Sequence, residues 1–182
     1  MILYIHGFGS SGQGGKSTQF RKYFKSQNMA YIAPSLSYVP QLAMSTLEEL
    51  IESYDDVKLI GSSLGGYYAM YLAEKYSLKV VLINPAMKSA KTLQRVINKQ
   101  GMAYNYYDES YFEWNLSHIE MLKEYEVTNP QSKYLLMLQK GDEVLDYKDA
   151  IEKLPYAKHI VEEGGTHPFE GIERYFELIR DF

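Results

Sequence analysis

No cysteine occurs in the 182 residues. Disulfide bonds and thiolate metal sites are therefore excluded. No apolar run approaches the ~20 residues that a membrane-spanning helix needs. Positive charge is not in excess either. The formal net charge is −4, acidic and basic residues are interspersed, and no basic stripe offers a nucleic-acid surface. A leader pattern is missing, because Met1-Ile2-Leu3-Tyr4-Ile5 runs straight into a strand-like segment. These absences predict a cytoplasmic protein. What is present is apolar bulk: 46% of residues are hydrophobic, enough for one domain over residues 1–182 with a real core. The chain also holds 18 tyrosines, whose distribution is uneven.

Short apolar runs punctuate the chain at Ile2–Ile5, Tyr31–Ala33, Val57–Ile60, Lys79–Ile83, Tyr134–Leu138 and His159–Val161. Most lack polar alternation, as expected of strands buried on both faces of a parallel sheet. Between them lie segments with helical spacing. Phe20, Tyr23 and Phe24 share one face, as do Leu42, Leu47, Leu50 and Ile51, and then Tyr175, Phe176 and Ile179. This alternation predicts an α/β architecture with a parallel sheet. The rhythm breaks between residues 88 and 130, a stretch too long for one crossover. It is dense in aromatics, with Tyr104, Tyr106, Tyr107, Tyr111, Phe112, Trp114 and Tyr125. It reads as a mostly helical insert over one edge or mouth of the sheet.

Gly61-Ser62-Ser63-Leu64-Gly65 fits the pattern G-x-S-x-G, between an apolar run and a helix-compatible one. A serine on so tight a strand-to-helix turn sits in a strained backbone conformation with its hydroxyl exposed. Side chains two residues before or after would clash, so glycine suits both places. The amide of Leu64 then points to the reacting centre from a helix N-terminus, where negative charge is favoured.

Ligands of open parallel sheets bind outside the carboxyl ends of the strands. Ser63, Asp142 and His167 follow three such ends, in the order serine, acid, histidine expected of this architecture. A serine hydroxyl needs an imidazole to take its proton, and the imidazole needs a carboxylate to fix its tautomer. Asp142 is favoured over Glu143 and Asp146 because it directly follows the Gly141 turn, although capping of the next helix is its plainer role. His167 lies on a Gly-Gly-Thr-His-Pro turn that aims it back over the sheet. His159 lies within a strand and reads as structural, and His118 falls in the insert. His6-Gly7-Phe8-Gly9 is placed to supply a second oxyanion donor, the Phe8 N–H, with His6 bracing the loop. Gly14-Gly15-Lys16-Ser17-Thr18 resembles a phosphate-binding loop, but the full pattern needs a glycine where Ser10 stands.

Together with Tyr4-Ile5-His6-Gly7-Phe8, Ile83-Asn84-Pro85-Ala86, Gly141-Asp142-Glu143-Val144-Leu145-Asp146-Tyr147 and Gly165-Thr166-His167, the elbow makes the chain resemble the α/β-hydrolases. More narrowly, it is similar to the small YqiA/YcfP-type esterases. The resemblance spans nearly the whole chain. It implies a reduced three-layer sandwich: a mostly parallel sheet of about six strands, helices on both faces, no leading antiparallel strands, and a small aromatic-rich helical cap. It implies a serine esterase or thioesterase, acyl-CoA included, that needs no cofactor and no metal. Carried over, Ser63 is the nucleophile, Asp142 the acid and His167 the base. The run Gly12 to Gly15 departs from the proline-containing turn common in the family. Tyr107, Tyr111 and Trp114 are the candidates for substrate contact. The alternatives to ester hydrolysis are a silent hydrolase-like scaffold that binds partners, or acyl transfer to an acceptor other than water.

Overall fold

The computed structural model describes residues 1–182. Eight strands and seven α-helices follow the chain as β1 (Ile2–Ile5), α1 (Gly15–Ser26), β2 (Tyr31–Ile32), α2 (Pro40–Glu52), β3 (Lys58–Ser62), α3 (Leu64–Tyr76), β4 (Val80–Ile83), α4 (Ser89–Gln94), β5 (Met102–Tyr104), β6 (Tyr111–Glu113), α5 (Leu116–Lys123), β7 (Tyr134–Gln139), α6 (Tyr147–Lys153), β8 (Lys158–Glu162) and α7 (Phe176–Asp181). Six strands form one sheet in the order β2-β1-β3-β4-β7-β8, and every pair in it is parallel. The six apolar runs of the sequence are these six strands.

Strand side chains alternate between faces, and the core divides accordingly. Leu3, Ile5, Leu59, Val80, Leu82, Leu136 and Leu138 pack with Leu47 of α2 and Leu64, Tyr68 and Leu72 of α3. Ile2, Tyr4, Ile60, Val81, Ile83, Leu135 and Met137 pack on the other face with Phe20 and Phe24 of α1 and Ile179 of α7. Burial on both faces explains why these runs carry no polar alternation. Each such leucine or isoleucine contributes about 1.5–3 kcal/mol of transfer free energy. The two edges are protected differently. β2 is only two residues long, and β8 carries Lys158 and Glu162 at its ends, features that discourage further pairing.

The segment expected to be a mostly helical insert holds two helices, α4 and α5, and between them an antiparallel pair, β5 and β6. Its apolar side chains Leu93, Phe112, Trp114, Ile119 and Leu122 join the α2/α3 side of the core. The Tyr67 hydroxyl donates to the Leu122 carbonyl at 2.7 Å and ties the segment to α3. No helix is long and apolar enough to cross a membrane.

Candidate active site

The chain leaves β1 for β2 on one side, then crosses back to place β3 on the other. That reversal opens a crevice between the carboxyl ends of β1 and β3, where doubly wound sheets bind ligands. The loop at Phe8 and the turn at Ser63 both lie there. Ser63 has φ 54° and ψ −121°, a conformation rare for a residue with a side chain. Such a residue costs of order 1–3 kcal/mol and persists only where its surroundings hold it. Here the Ser63 N–H donates to the Ile83 carbonyl at 3.1 Å, and the Ser63 carbonyl accepts from Ala86 at 3.0 Å and Gly66 at 2.9 Å. A Cβ on Gly61 would overlap the Gly65 carbonyl and Ala69, and one on Gly65 would overlap the Ile5 carbonyl. The two glycines of the motif are thus steric necessities.

His167 approaches from the loop after β8, across the two positive-φ residues Gly164 and Gly165. Its Nε2 lies 3.0 Å from Ser63 Oγ and its Nδ1 lies 2.8 Å from Asp142 Oδ2. An ionised carboxylate only accepts, so Nδ1 carries the hydrogen and Nε2 is free to accept from the serine. The other oxygen, Asp142 Oδ1, accepts from the Val144 and Leu145 N–H groups, both at 2.8 Å. Burial alone would raise the Asp142 pKa. The hydrogen bonds from His167, Leu145 and Val144 outweigh it and hold the carboxyl below its usual range. The carboxylate side chain is only 3% exposed and the imidazole 20%, so the relay opens outward at the histidine. Neither of the two other acids weighed at this loop bonds the imidazole. Glu143 accepts from the His167 backbone N–H at 3.1 Å, and Asp146 caps α6 through the Lys148 N–H.

The Phe8 N–H donates to no atom of the chain. Leu64 opens α3, so its N–H lacks an intrahelical acceptor. His6 braces this loop: the Leu36 N–H donates to Nε2 at 3.0 Å, which leaves Nδ1–H to donate to the Gly7 carbonyl at 2.8 Å. Burial lowers its pKa and favours the neutral ring that this pairing requires. Beside Phe8 and Leu64 opens a narrow cleft, walled by Leu36, Tyr38, Tyr68 and Trp114. Phe8 sits edge-on to Trp114 at 4.7 Å, and Tyr38 stacks on Phe112 at 3.6 Å. Of the three aromatic candidates, only Trp114 lines this cleft. Tyr107 and Tyr111 are 51% and 64% exposed and stand clear of it. Tyr38 and Tyr68 were missed. Tyr68 was findable, because it lies one helical turn beyond Leu64 on the same face.

The glycine-rich loop has no vacant cradle. Ser17 Oγ donates to the Gly12 carbonyl at 2.6 Å, and Thr18 Oγ1 to the Gln13 carbonyl at 3.2 Å. Lys16 turns inward, and its Nζ donates to Ser62 Oγ at 2.8 Å. Burial of the ammonium pushes its pKa down to about 7, opposed only by the attraction of Asp142. His118 caps α5 with Asn115 and stacks on Trp114, and His159 contacts the Leu154 carbonyl. No three His, Asp or Glu side chains converge as a metal-binding group.

The whole chain, residues 1–182, matches the model of the family described as "Uncharacterised protein family (UPF0227)". The chain belongs to that family. Relatives in it include the UPF0227 protein YcfP of Salmonella arizonae and a UPF0227 protein of Serratia proteamaculans. Each is 24% identical over 188 residues, which cover 100% of this chain and 98% of the relative. Among solved structures, the mouse alpha/beta hydrolase domain-containing protein 10 superposes with a TM-score of 0.78 at 18% identity, over 99% of this chain and 86% of its own. Est1E of Butyrivibrio proteoclasticus, solved with ferulic acid bound, gives 0.79 at 13% identity, over 100% and 86%. The monoacylglycerol lipase of Paleococcus ferrophilus gives 0.73 at 15%, over 98% and 92%. The fold of this family member is that of the α/β-hydrolases, as its sequence resemblance implied.

Proposed function

We propose that this chain is a serine hydrolase that cleaves carboxylic esters or thioesters, acyl-CoA among them, through an acyl-enzyme intermediate. The observation that carries the reading is the unbroken hydrogen-bond path from Asp142 through His167 to Ser63, beside backbone amides with no partner. Fold neighbours named as a monoacylglycerol lipase and as Est1E with ferulic acid bound agree with an ester substrate.

In this mechanism Ser63 Oγ attacks the acyl carbon while His167 Nε2 takes the hydroxyl proton. The carbonyl electron pair moves onto oxygen, and the Phe8 and Leu64 N–H groups hold the resulting charge. Losing one such donor typically costs ~3 kcal/mol of transition-state stabilisation. Asp142 keeps the ring in the accepting tautomer and stabilises the imidazolium. The C–O or C–S bond breaks as His167 passes its proton to the leaving group. Water, deprotonated by the same imidazole, then frees the acid and restores Ser63. The cleft walled by Tyr38, Tyr68 and Trp114 receives the acyl group.

The test is labelling by a fluorophosphonate probe, together with hydrolysis of p-nitrophenyl acetate and butyrate. The wild type should be labelled and should turn over ester, and Ser63→Ala should do neither. Labelling that persists in Ser63→Ala would overturn the assignment. A folded wild type that neither reacts with the probe nor hydrolyses ester would support the silent-scaffold alternative.

A further inference from the structure

The His167 loop has little structure of its own. Gly164, Gly165 and Phe169 all take positive φ. Its one internal backbone bond runs from Phe169 N–H to the Thr166 carbonyl at 2.9 Å. Beyond the Gly141 N–H on the Gly164 carbonyl and Glu143 on the His167 N–H, its shape is set by two amide side chains, each 2% exposed, that project from the ends of neighbouring strands. Asn84 Nδ2 donates to the Thr166 and His167 carbonyls, both at 3.0 Å. Gln139 Oε1 accepts from the Thr166 N–H at 3.1 Å and the Glu170 N–H at 2.8 Å. Gln139 Nε2 donates to the Glu170 carbonyl at 2.8 Å and to Glu162 Oε2 at 2.7 Å. The two residues are themselves joined, because Asn84 Oδ1 accepts from the Gln139 backbone N–H at 3.0 Å.

Asn84 also belongs to the segment that fixes the nucleophile. Ile83, just before it, accepts from the Ser63 N–H, and Ala86, two residues after, donates to the Ser63 carbonyl. Four consecutive residues therefore hold the Ser63 backbone through their main chain and the His167 backbone through one side chain. Neither amide has a hydrogen bond to Ser63 Oγ, the imidazole or the Asp142 carboxylate. We propose that Asn84, with Gln139 as its partner, is a positioning residue that sets the separation of Ser63 Oγ and His167 Nε2. The proposal rests on the serine-hydrolase reading above.

The geometry selects the variants. Asn84 has φ 39°, a value glycine adopts without strain, so Asn84→Gly removes the side-chain contacts and leaves the turn intact. Gln139→Met removes all four of its side-chain contacts, that to the Thr166 N–H included, and places no new charge beside Glu162. The measurements are the second-order rate of fluorophosphonate labelling, and kcat and KM on p-nitrophenyl butyrate, at a temperature where circular dichroism shows each variant folded. Displacing a reacting group by about 1 Å can cost ~100-fold in rate. Asn84→Gly should therefore lose about tenfold to a hundredfold in labelling rate and kcat, with KM within about twofold. Ile60→Val, a core substitution outside this network, should leave the labelling rate unchanged and so separates positioning from general destabilisation. If Asn84→Gly does not fold, Gln139→Met decides by the same rates. A labelled wild type with a folded variant labelled within twofold of it overturns the proposal. An unlabelled wild type overturns the underlying reading instead.

Discussion

Replacing Lys16 by methionine should stabilise the protein at neutral pH and do so less as pH rises. The side chain is half-buried, its ammonium is enclosed, and its one hydrogen bond goes to a neutral hydroxyl, Ser62 Oγ at 2.8 Å. Enclosure lowers the pKa from 10.5 to about 7. Between those values the unfolded lysine binds a proton that the folded one does not, so stability rises with pH across this window. Below pH 7 the penalty is fully present, and the gap corresponds to at most about 5 kcal/mol. Methionine is one atom shorter but keeps the unbranched apolar stem, and removing the Ser62 contact costs about 1 kcal/mol. Lys16→Met should therefore gain up to about 4 kcal/mol at pH 6.5, a gain that falls to about zero near pH 10. Urea unfolding of both proteins at pH 6.5, 8 and 9.5 measures the difference, and tyrosine ionisation cancels between them. Parallel stability curves for the two proteins over this range would refute the reasoning.

Asp142→Asn should fold but turn its amide toward His167 Nδ1, forcing the hydrogen onto Nε2. Ester hydrolysis should fall by ~10⁴-fold, and full activity in this variant would count against the proposed relay. Because the Asp142 pKa is held down in the fold, its ionised form adds stability above the ordinary carboxylate range, and this is lost as pH falls through the lowered value. The same variant should remove that part of the acid sensitivity, as read by urea unfolding at pH 6 and pH 3. Gly65→Ala pushes a methyl group into the Ile5 carbonyl and should cost about 3 kcal/mol or more, seen as a lower unfolding midpoint or insoluble protein.

The sheet was legible because strands buried on both faces leave an unmistakable trace, as in Val80–Ile83 and Tyr134–Leu138. The order Ser63, Asp142, His167 was legible because each residue lies within five positions of a strand's carboxyl end. The insert was not fully legible. β5 and β6 are three residues each, too short for a period of two to stand out among aromatics. The cleft walls were hidden for another reason. Tyr38 reaches the site from the connection before α2 and is held by Asn105 Nδ2 at 2.6 Å, 67 positions away. Asn84 and Gln139 were visible as polar residues closing apolar runs, but their partners lie 82 and 27 positions onward. Lys16 looked like part of an anion cradle, whereas it turns inward to Ser62.

The backbone at Ser63 bears on how such proteins change over time. With φ at 54°, glycine would hold this backbone with less strain than serine does. Selection for durability alone would erode the hydroxyl there first. A descendant released from the proposed reaction should record that release as a glycine at this site, well before the glycines on either side of it are disturbed.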